Sequence, residues 1–387
     1  ELARATLADA ELVIGSDRQL AMVRPRLRAA YLSLPSPLLP ALPALIDDNR
    51  EHRLCVLASG DPLLFGIGST LIRLFGPDAV RVLPAVSSAS LACARLGWAI
   101  EEVVVVSAVG RPLSRVQPAI QPGRRLLILV AETTAATAVA GLLRARGFGP
   151  SRMVLLERLG AGSEQISIDT AAGWPDKPHD RLAIVAVDCQ PGPTPDIRST
   201  VPGLPDEVYD TDGQLTKREV RALTLSALGP LPGELLWDVG AGTGTVAIEW
   251  LRTHPSCRAV AIEPRADRRA RIAANAVDLG VPDLLVVGGT APEALATLPR
   301  PDAVFVGGAV SVAGVIDGCL TALAAGGRLV ANAVTLEAES TLAAWHARLG
   351  GDLTRIALSR AGPLGGFTGW RPAMPVTQWA YRKENRP

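Results

Sequence analysis

The most informative segment of this 387-residue chain for the fold of its second half is Leu236-Trp237-Asp238-Val239-Gly240-Ala241-Gly242-Thr243-Gly244-Thr245. A mostly apolar strand pattern leads into three glycines at alternate positions, and a helical pattern begins at Thr245. Glycines let the backbone turn tightly and let a ligand approach the main chain. The helix N-terminus that follows favours an anionic group. The stretch therefore predicts a strand, a ligand-binding turn and a helix.

The spacing of these glycines separates two kinds of nucleotide site. A dinucleotide site has G-x-G-x-x-G, but here the pattern is G-x-G-x-G and Thr245 occupies the place of the third glycine. This departure disfavours a nicotinamide oxidoreductase. It suits the smaller methionine carboxylate of S-adenosylmethionine, and we expect that group to be held by the backbone of Gly240, Ala241, Gly242, Thr243 and Gly244.

Two further sites follow the next two predicted strands. Glu263 ends the strand predicted over residues 259–263, and a carboxylate there can accept hydrogen bonds from both hydroxyls of a ribose. Thr290 and Ala291 follow the strand predicted over residues 284–287, where we expect the backbone to contact the adenine. A turn that begins a helix, with Pro292 at its first position, explains the same residues without a ligand.

The chain divides at a proline-rich stretch that can hold neither a helix nor an inner strand. We predict a domain over residues 1–190, a linker over 191–213 and a second domain over 214–387. Short apolar runs alternate with helical segments in the first domain, which predicts an α/β fold. Its strands are predicted at 12–14, 53–58, 80–83, 103–106, 126–130, 153–157, 165–169 and 182–187. The last three lack convincing helices between them, so we expect two lobes, the second with a more antiparallel sheet.

The second domain shows a more regular alternation, typical of a Rossmann-like parallel sheet. We predict seven strands, the last two forming an antiparallel hairpin and the others bridged by helices. In the helix predicted over residues 266–279, we expect Ala266, Ala270, Ala273 and Val277 to form the buried face.

Other motifs have both a ligand-binding and a structural explanation. In the first domain, a Gly-Asp-Pro turn and two serines at a helix start could contact a ligand, although serine also caps helices. In the second domain, Thr216 and Glu219 match a capping box that opens the helix predicted over residues 217–228.

Composition excludes several classes of protein. The net charge is +1, which argues against a nucleic-acid binder. The five cysteines and four histidines form neither CxxC nor HExxH motifs, so we predict no metal site. No apolar run is long enough for a membrane helix, and no signal peptide is evident, so we expect a cytoplasmic protein.

Together these motifs resemble two methylase families joined in one chain. The first domain resembles the tetrapyrrole methylases, and the second resembles the seven-stranded precorrin methyltransferases. As a whole, the chain resembles the bifunctional decarboxylating precorrin methyltransferases of cobalamin (vitamin B12) biosynthesis. The segments that carry this resemblance are 12–20, 57–68, 84–89, 214–221, 236–249, 289–295 and 306–308.

The resemblance implies that both domains bind S-adenosylmethionine. It adds Thr216 to the cofactor contacts of the second domain. In the first domain it implies contacts by Ser59, Gly60, Asp61, Leu64, Ser87 and Ser88. It also implies methylation at carbons 5 and 15 of a corrin precursor, loss of carbon dioxide from the ring C acetate, and self-association. The tetrapyrrole methylases begin with a strand and a glycine-rich loop, and we expect both to be missing before Glu1.

The substrate carries many carboxylates, so we expect arginine and lysine in its cleft. The candidates are Lys217, Arg218, Arg221, Arg111 and Arg115. Two alternatives stay open at this point: a cobalt-containing precorrin as substrate, or a methyltransferase for RNA or protein with a non-catalytic N-terminal binding domain.

Overall fold

The computed structural model describes residues 1–384, and the chain forms two compact units. Unit 1 comprises Glu1–Val109, Arg125–Thr137 and Arg152–Asp188. Unit 2 comprises Gly110–Arg124, Ala138–Ser151 and Cys189 onward. The domain boundaries drawn from the sequence stay a prediction, since each unit is formed by three separate segments of the chain.

Unit 1 begins with a lobe built on a three-stranded parallel sheet of order β2-β1-β3. Its elements are α1 (Leu2–Asp9), β1 (Leu12–Gly15), α2 (Asp17–Val23), β2 (Ala30–Ser33), α3 (Leu38–Asp47), β3 (Leu54–Val56) and α4 (Ile67–Phe75). β2 and α3 were not predicted, because they lie in a segment rich in proline. The strand predicted over residues 80–83 is wrong: this segment joins no sheet, and Pro84, which has no amide hydrogen, follows it directly.

The second lobe of unit 1 carries a five-stranded sheet of order β4-β5-β8-β6-β7. Only β4 and β5 pair in parallel, and the other neighbours are antiparallel, which confirms the predicted change of sheet type. The elements are α5 (Ser88–Leu96), β4 (Val103–Ser107), β5 (Arg125–Val130), β6 (Arg152–Glu157), β7 (Gln165–Thr170) and β8 (Ala183–Asp188). Helix α6 (Ala135–Ala145) begins in unit 1, and its residues from Ala138 onward belong to unit 2.

Unit 2 is a seven-stranded Rossmann-like sheet of order β11-β10-β9-β12-β13-β17-β14. The first five strands in this order are parallel, and β17 runs antiparallel between β13 and β14. The elements are α7 (Arg218–Leu228), β9 (Leu235–Val239), α8 (Thr245–Thr253), β10 (Arg258–Ile262), α9 (Ala266–Asp278), β11 (Leu285–Val287), β12 (Ala303–Val306), α10 (Val315–Ala322), β13 (Arg328–Ala333), α11 (Leu336–Leu349), β14 (Asp352–Ile356), β15 (Ser359–Leu364), β16 (Phe367–Pro372) and β17 (Val376–Arg382).

Both faces of this sheet are covered by helices, as expected of a buried parallel sheet. Helices α7, α8 and α9 pack on one face, and α10 and α11 pack on the other. At the centre of β17, Trp379 is fully buried, with its ring 6.2 Å from that of Trp345 and 5.6 Å from that of Tyr381. The final strand therefore belongs to the core of unit 2.

Two details of unit 2 differ from the sequence prediction. The face of α9 that is buried contains Ile272, Asn275 and Ala276, whereas all four residues predicted for it are exposed. Alanine is small enough to recur on any face, so the larger Ile272 was the better guide. The connection between β11 and β12 also holds only a single 3₁₀ turn, Glu293–Leu295, instead of a longer helix.

Over residues 1–384, no helix combines the length and the apolar character that crossing a membrane requires. In the same range, His, Cys, Asp and Glu side chains form no group of three that could hold a metal ion.

Candidate functional site

The predicted cofactor residues of unit 2 meet at one edge of its sheet. Strands β9, β10, β11 and β12 are parallel, so their carboxyl ends lie together. From β9, the next strands of the chain are added on one side as β10 and β11 and then on the other side as β12 and β13. Open α/β sheets bind ligands at the carboxyl ends of the two strands where the direction changes, here β9 and β12. Glu263, the turn over residues 240–244, and Thr290 with Ala291 all follow these strand ends. The structure thus brings these predicted residues together at one place.

The glycine-rich turn needs its glycines because of its backbone conformation and its close packing against the rest of unit 2. Gly240, Gly242 and Gly244 adopt the left-handed conformation, with φ of 72°, 60° and 77°. A Cβ atom on Gly240 would lie 3.1 Å from the amide nitrogen of Gly308, and one on Gly244 would lie 2.8 Å from Cγ2 of Ile272. Other residues would therefore displace the turn from the strand ends.

The amides of this turn are mostly engaged within the protein, contrary to the sequence prediction. Gly240 and Ala241 donate to the carbonyl of Ile262 at 3.0 and 3.1 Å, and Gly244 donates to Ala241 at 2.8 Å. Gly242 donates to Oε2 of Glu263 at 2.9 Å. The turn offers a ligand close approach to the backbone more than a set of unpaired amides.

Glu263 is fixed against the turn. Its side chain is buried, Oε2 accepts from Gly242, and Oε1 accepts from the amide of Arg265 at 3.1 Å. An ionised carboxylate has about four acceptor positions. The unused positions of Glu263 can therefore still accept hydrogen bonds from ribose hydroxyls.

Asp238 is a site residue that the sequence reasoning quoted but did not assign. It is fully buried at the end of β9, where Oδ2 accepts from the amide of Ala247 at 3.0 Å. Within the described residues, Oδ1 of Asp238 and Oγ1 of Thr243 have no hydrogen-bond partner. Burial raises the pKa of Asp238 to about 7, with the charge of Glu263 adding to the rise. An ionisable residue inside an apolar strand was the signal that could have identified it.

Such orphaned polar atoms are rare in buried positions, and here two of them lie at or next to the glycine-rich turn. Asp238 supplies an acceptor, Glu263 supplies another, and Thr243 supplies a hydroxyl. This set fits a ligand with an amino acid end and a ribose, as S-adenosylmethionine has.

Residues 210–216 form a strap beside the turn. The side chain of Asn275 accepts from the amide of Asp210 at 2.9 Å and donates to the carbonyls of Asp210 and Thr243 at 3.0 and 3.2 Å. Arg268 pairs with Asp212 at 2.8 Å. Helix α9 thus holds both the strap and the turn.

Thr216 closes the strap but does not cap α7. The N-cap is Lys217, which makes no side-chain capping bond, and Glu219 instead pairs with Arg360. The predicted capping box is therefore wrong. The carbonyl of Thr216 accepts from Arg221 at 2.6 Å, which places Thr216 at the end of the strap.

Arg221 does not contact substrate, and that prediction is corrected by its burial. The side chain is fully buried, and its Nε donates to Glu249 at 2.6 Å. Its other nitrogens donate to Asp206 and to the carbonyls of Leu204 and Thr216. A guanidinium so fully engaged serves the core of unit 2.

The other predicted substrate-binding residues remain on the surface. Lys217 lies 3.7 Å from Asp206, and Arg218 is exposed. Arg111 and Arg115, predicted for the first domain, belong to segment Gly110–Arg124 of unit 2. Arg115 forms an ion pair with Asp283, which reduces its availability to a substrate.

The adenine-side residues follow β11. Thr290 is exposed, and its hydroxyl lies 3.4 Å from Oε2 of Glu293. Ala291 is half-buried and packs against the core cluster that contains α10. Both residues lie where the sequence predicted them, and their contact with adenine stays a prediction.

Unit 1 contains a separate cavity of about 670 Å³. Four of its predicted cofactor residues line this cavity: Ser59, Gly60, Leu64 and Ser88. The hydroxyl of Ser59 accepts from Arg18 at 2.7 Å and from Gln19 at 3.0 Å. A volume of this size is in the range of small-molecule sites.

Two predicted residues of unit 1 do not line this cavity. Asp61 accepts from the amide of Leu63 at 2.7 Å, and Ser87 caps α5 by accepting from the amide of Ser90 at 3.0 Å. Their local roles are structural. Their two segments nevertheless lie close together at Gly60, where a Cβ atom would be only 3.3 Å from the carbonyl oxygen of Val86.

The sequence matches two described families, one after the other. Residues 1–173 match "Tetrapyrrole (Corrin/Porphyrin) Methylases", and residues 207–383 match "Precorrin methyltransferase domain". A protein of Sinorhizobium sp named precorrin-6Y C(5,15)-methyltransferase (decarboxylating) is 46% identical over 381 residues, which cover 98% of this chain and 92% of that protein.

Another protein of the same name, from Mycobacterium tuberculosis (strain CDC 1551 / Oshkosh), is 45% identical over 386 residues, covering 99% of this chain and 96% of its own. The crystal structure of the C-terminal domain of precorrin-6Y C5,15-methyltransferase from Rhodobacter capsulatus is 48% identical. It covers 48% of this chain and 100% of that domain, with a TM-score of 0.46.

Proposed function

Because this chain belongs to the family of decarboxylating precorrin-6Y C5,15-methyltransferases, we propose how its two units divide the activity of that family. The chain is an S-adenosylmethionine-dependent methyltransferase of cobalamin biosynthesis with decarboxylating activity. In the proposed division, unit 2 methylates carbon 15 of precorrin-6Y and releases carbon dioxide from the ring C acetate. Unit 1 methylates carbon 5.

The observation that carries this proposal for unit 2 is the combination of a glycine-rich turn with the buried, unpartnered polar atoms of Asp238 and Thr243. Glu263 would hold the ribose, Asp238 and Thr243 would hold the amino acid end, and Thr290 and Ala291 would contact the adenine. The bound cofactor supplies a methyl group on a positively charged sulfur. Lys217 and Arg218, both exposed near the strap, are the residues proposed for the carboxylates of the substrate.

The methyl acceptor needs no strong nucleophile from the protein, because the meso carbons of the conjugated pyrroles are electron-rich. The residues of the site then act mainly by holding two reactants in line, which can lower the barrier by about 7–11 kcal/mol. For decarboxylation, a protonated ring imine of the substrate can accept the electrons. The protein therefore needs no strong nucleophile of its own, and the polar groups of the site can serve to bind the cofactor.

For unit 1, support comes from the cavity that Ser59, Gly60, Leu64 and Ser88 line. Their backbone and hydroxyl groups are proposed to bind the second cofactor molecule. Asp61 and Ser87 are proposed to act there through the turn and the helix cap that they stabilise.

The test uses the full chain with precorrin-6Y and isotope-labelled S-adenosylmethionine, and counts methyl groups and carbon dioxide by mass spectrometry. Glu263→Ala should remove the carbon 15 methyl group. Gly60→Ala should remove only the carbon 5 methyl group, because its φ of +66° and the nearby Val86 carbonyl disfavour a side chain.

Gly97→Ala is the matched control, with the same φ of +66° but open space around it. It should give the same products as the wild type. If Gly60→Ala and Glu263→Ala removed the same methyl group, the division between the units would be refuted.

The form of the substrate, the location, the partners and self-association are proposed from the relatives, the composition and the exposed side chains. The metal-free precorrin is proposed over its cobalt counterpart, since the relatives that match the whole chain are named for precorrin-6Y. A cytoplasmic location and the absence of nucleic-acid and membrane partners are proposed from the composition. Self-association is also proposed, and the exposed Phe367 and Trp370 of the β15–β16 hairpin would support it.

A further inference from the structure

Two residues with side chains hold the left-handed backbone conformation within the described chain. These are Phe65 and Arg158, both with φ of 51°. This conformation is uncommon for any residue with a Cβ atom, and residues forced into it cluster at sites of function. Both residues line the same cavity of unit 1.

The charge of this cavity is of one sign. Arg18, Arg158 and Arg181 are its charged lining residues, and among the described residues that line it none is acidic. Most of the remaining wall is formed by leucine, isoleucine, valine and alanine side chains. A cavity of this kind suits a ligand with a broad apolar body and negative groups at its edge.

Arg158 and Arg181 come from neighbouring strand ends. Arg158 follows β6, Arg181 precedes β8, and the amide of Arg158 donates to the carbonyl of Leu182 at 2.8 Å. Their backbones are therefore held side by side where β6 ends and β8 begins. Phe65 lies in the segment that leads into α4, in the first lobe.

The guanidinium groups of this pair have hydrogen-bonding capacity left. Arg158 is 3.7 Å from its acidic neighbour Asp180, and its Nε has no partner within the described residues. Arg181 donates from Nε to the carbonyl of Ala131 at 3.3 Å. A guanidinium has five donors and binds carboxylates with two at once, so both arginines can take a carboxylate ligand.

We propose that Arg158 and Arg181 bind carboxylates of the tetrapyrrole substrate during methylation at carbon 5, and that Phe65 lies against its ring system. This inference rests on the proposed function of unit 1. A tetrapyrrole has a flat apolar body with acidic side chains around it, which matches an aromatic ring and a pair of arginines. Arg18 is left out of the pair because it lies on α2 of the first lobe, where it donates to the hydroxyl of Ser59, a proposed cofactor residue.

The test is Arg158→Gly in the full chain, because glycine adopts the left-handed conformation without strain. The variant should unfold at the same temperature as the wild type or higher. With precorrin-6Y, it should raise the KM of the carbon 5 step by about tenfold to a hundredfold, the usual range for losing a charge-assisted contact. S-adenosylmethionine affinity, measured by calorimetry, should not change.

Arg181→Ala should produce the same KM effect, and Arg158→Lys should restore part of the loss. Arg152→Ala is the control. Arg152 is an exposed arginine at the start of β6, the strand that Arg158 follows, and it does not line the cavity. Its kinetics should equal those of the wild type.

Wild-type KM in Arg158→Gly would overturn the inference. A loss of cofactor affinity with unchanged substrate KM would also overturn it, since the arginine would then bind the methyl donor. If Gly60→Ala left the carbon 5 step intact, the proposed function of unit 1 would fail, whatever Arg158→Gly did.

Discussion

The change Asp238→Asn should stabilise the cofactor-free protein while weakening its cofactor binding. Burial raises the pKa of Asp238 from its ordinary value of 3.8 to about 7. The folded protein therefore favours the protonated carboxyl, so its stability falls as pH rises from about 4 through 7. Asparagine has almost the same shape and remains neutral, so the variant avoids this loss.

The magnitude follows from the pKa. A rise from 3.8 to about 7 corresponds to about 4 kcal/mol of lost stability above pH 7, at about 1.4 kcal/mol per pH unit. At pH 4.5 the loss is only about 1 kcal/mol. For a unit of this size, each kcal/mol moves the unfolding midpoint by about 2–4 °C. The Tm gain of Asp238→Asn should therefore reach roughly 8–16 °C at pH 8 as an upper limit.

The assay is thermal unfolding followed by tryptophan fluorescence at pH 4.5 and pH 8, without cofactor. Asp352→Asn, an exposed substitution on β14, is the control and should leave Tm unchanged at both pH values. Calorimetry at pH 8 should show that Asp238→Asn binds S-adenosylmethionine about tenfold to a hundredfold more weakly, because the unpartnered Oδ1 no longer offers a charged acceptor. An equal Tm gain at both pH values, or unchanged affinity, would refute the reasoning.

Three other variants test the same unit. Glu263→Gln should weaken S-adenosylmethionine binding by about tenfold to a hundredfold in calorimetry, since a charged acceptor becomes neutral. Glu249→Ala should lower stability by about 3–5 kcal/mol in denaturant titrations, because it removes the buried carboxylate that pairs with Nε of the buried Arg221. Gly244→Ala should cost about 1–3 kcal/mol in the same titration, since the added Cβ would lie 2.8 Å from Cγ2 of Ile272.

The sequence predicted the cofactor turn of unit 2 because the information there is local. Three glycines between a strand pattern and a helical pattern indicate a turn, and Glu263 stands at a strand end that hydrophobic patterning could locate. Seven strands, parallel except for the last two, followed from the same alternation, whereas their order in the sheet was not predicted. Thus the elements around the turn were predicted nearly to the residue.

The prediction failed where a side chain depends on a distant partner. Arg221 looks like a surface arginine on α7, and only the fold brings Glu249, which lies 28 residues later, against it. Asn275 looks like an interruption of the α9 pattern, yet its burial depends on Asp210, 65 residues earlier. Neither partnership has a local sequence signal, so the core role of Arg221 and the strap were missed.

Strand β17 has a consequence for biosynthesis. Although it is the last strand in the described residues, it lies inside the sheet, paired with both β13 and β14, and carries the buried Trp379. A ribosome must therefore have added the residues up to Arg382 before unit 2 can close its sheet. A premature stop codon before position 376 would delete an interior strand, and we expect the resulting fragment to expose two unpaired strand edges and to aggregate.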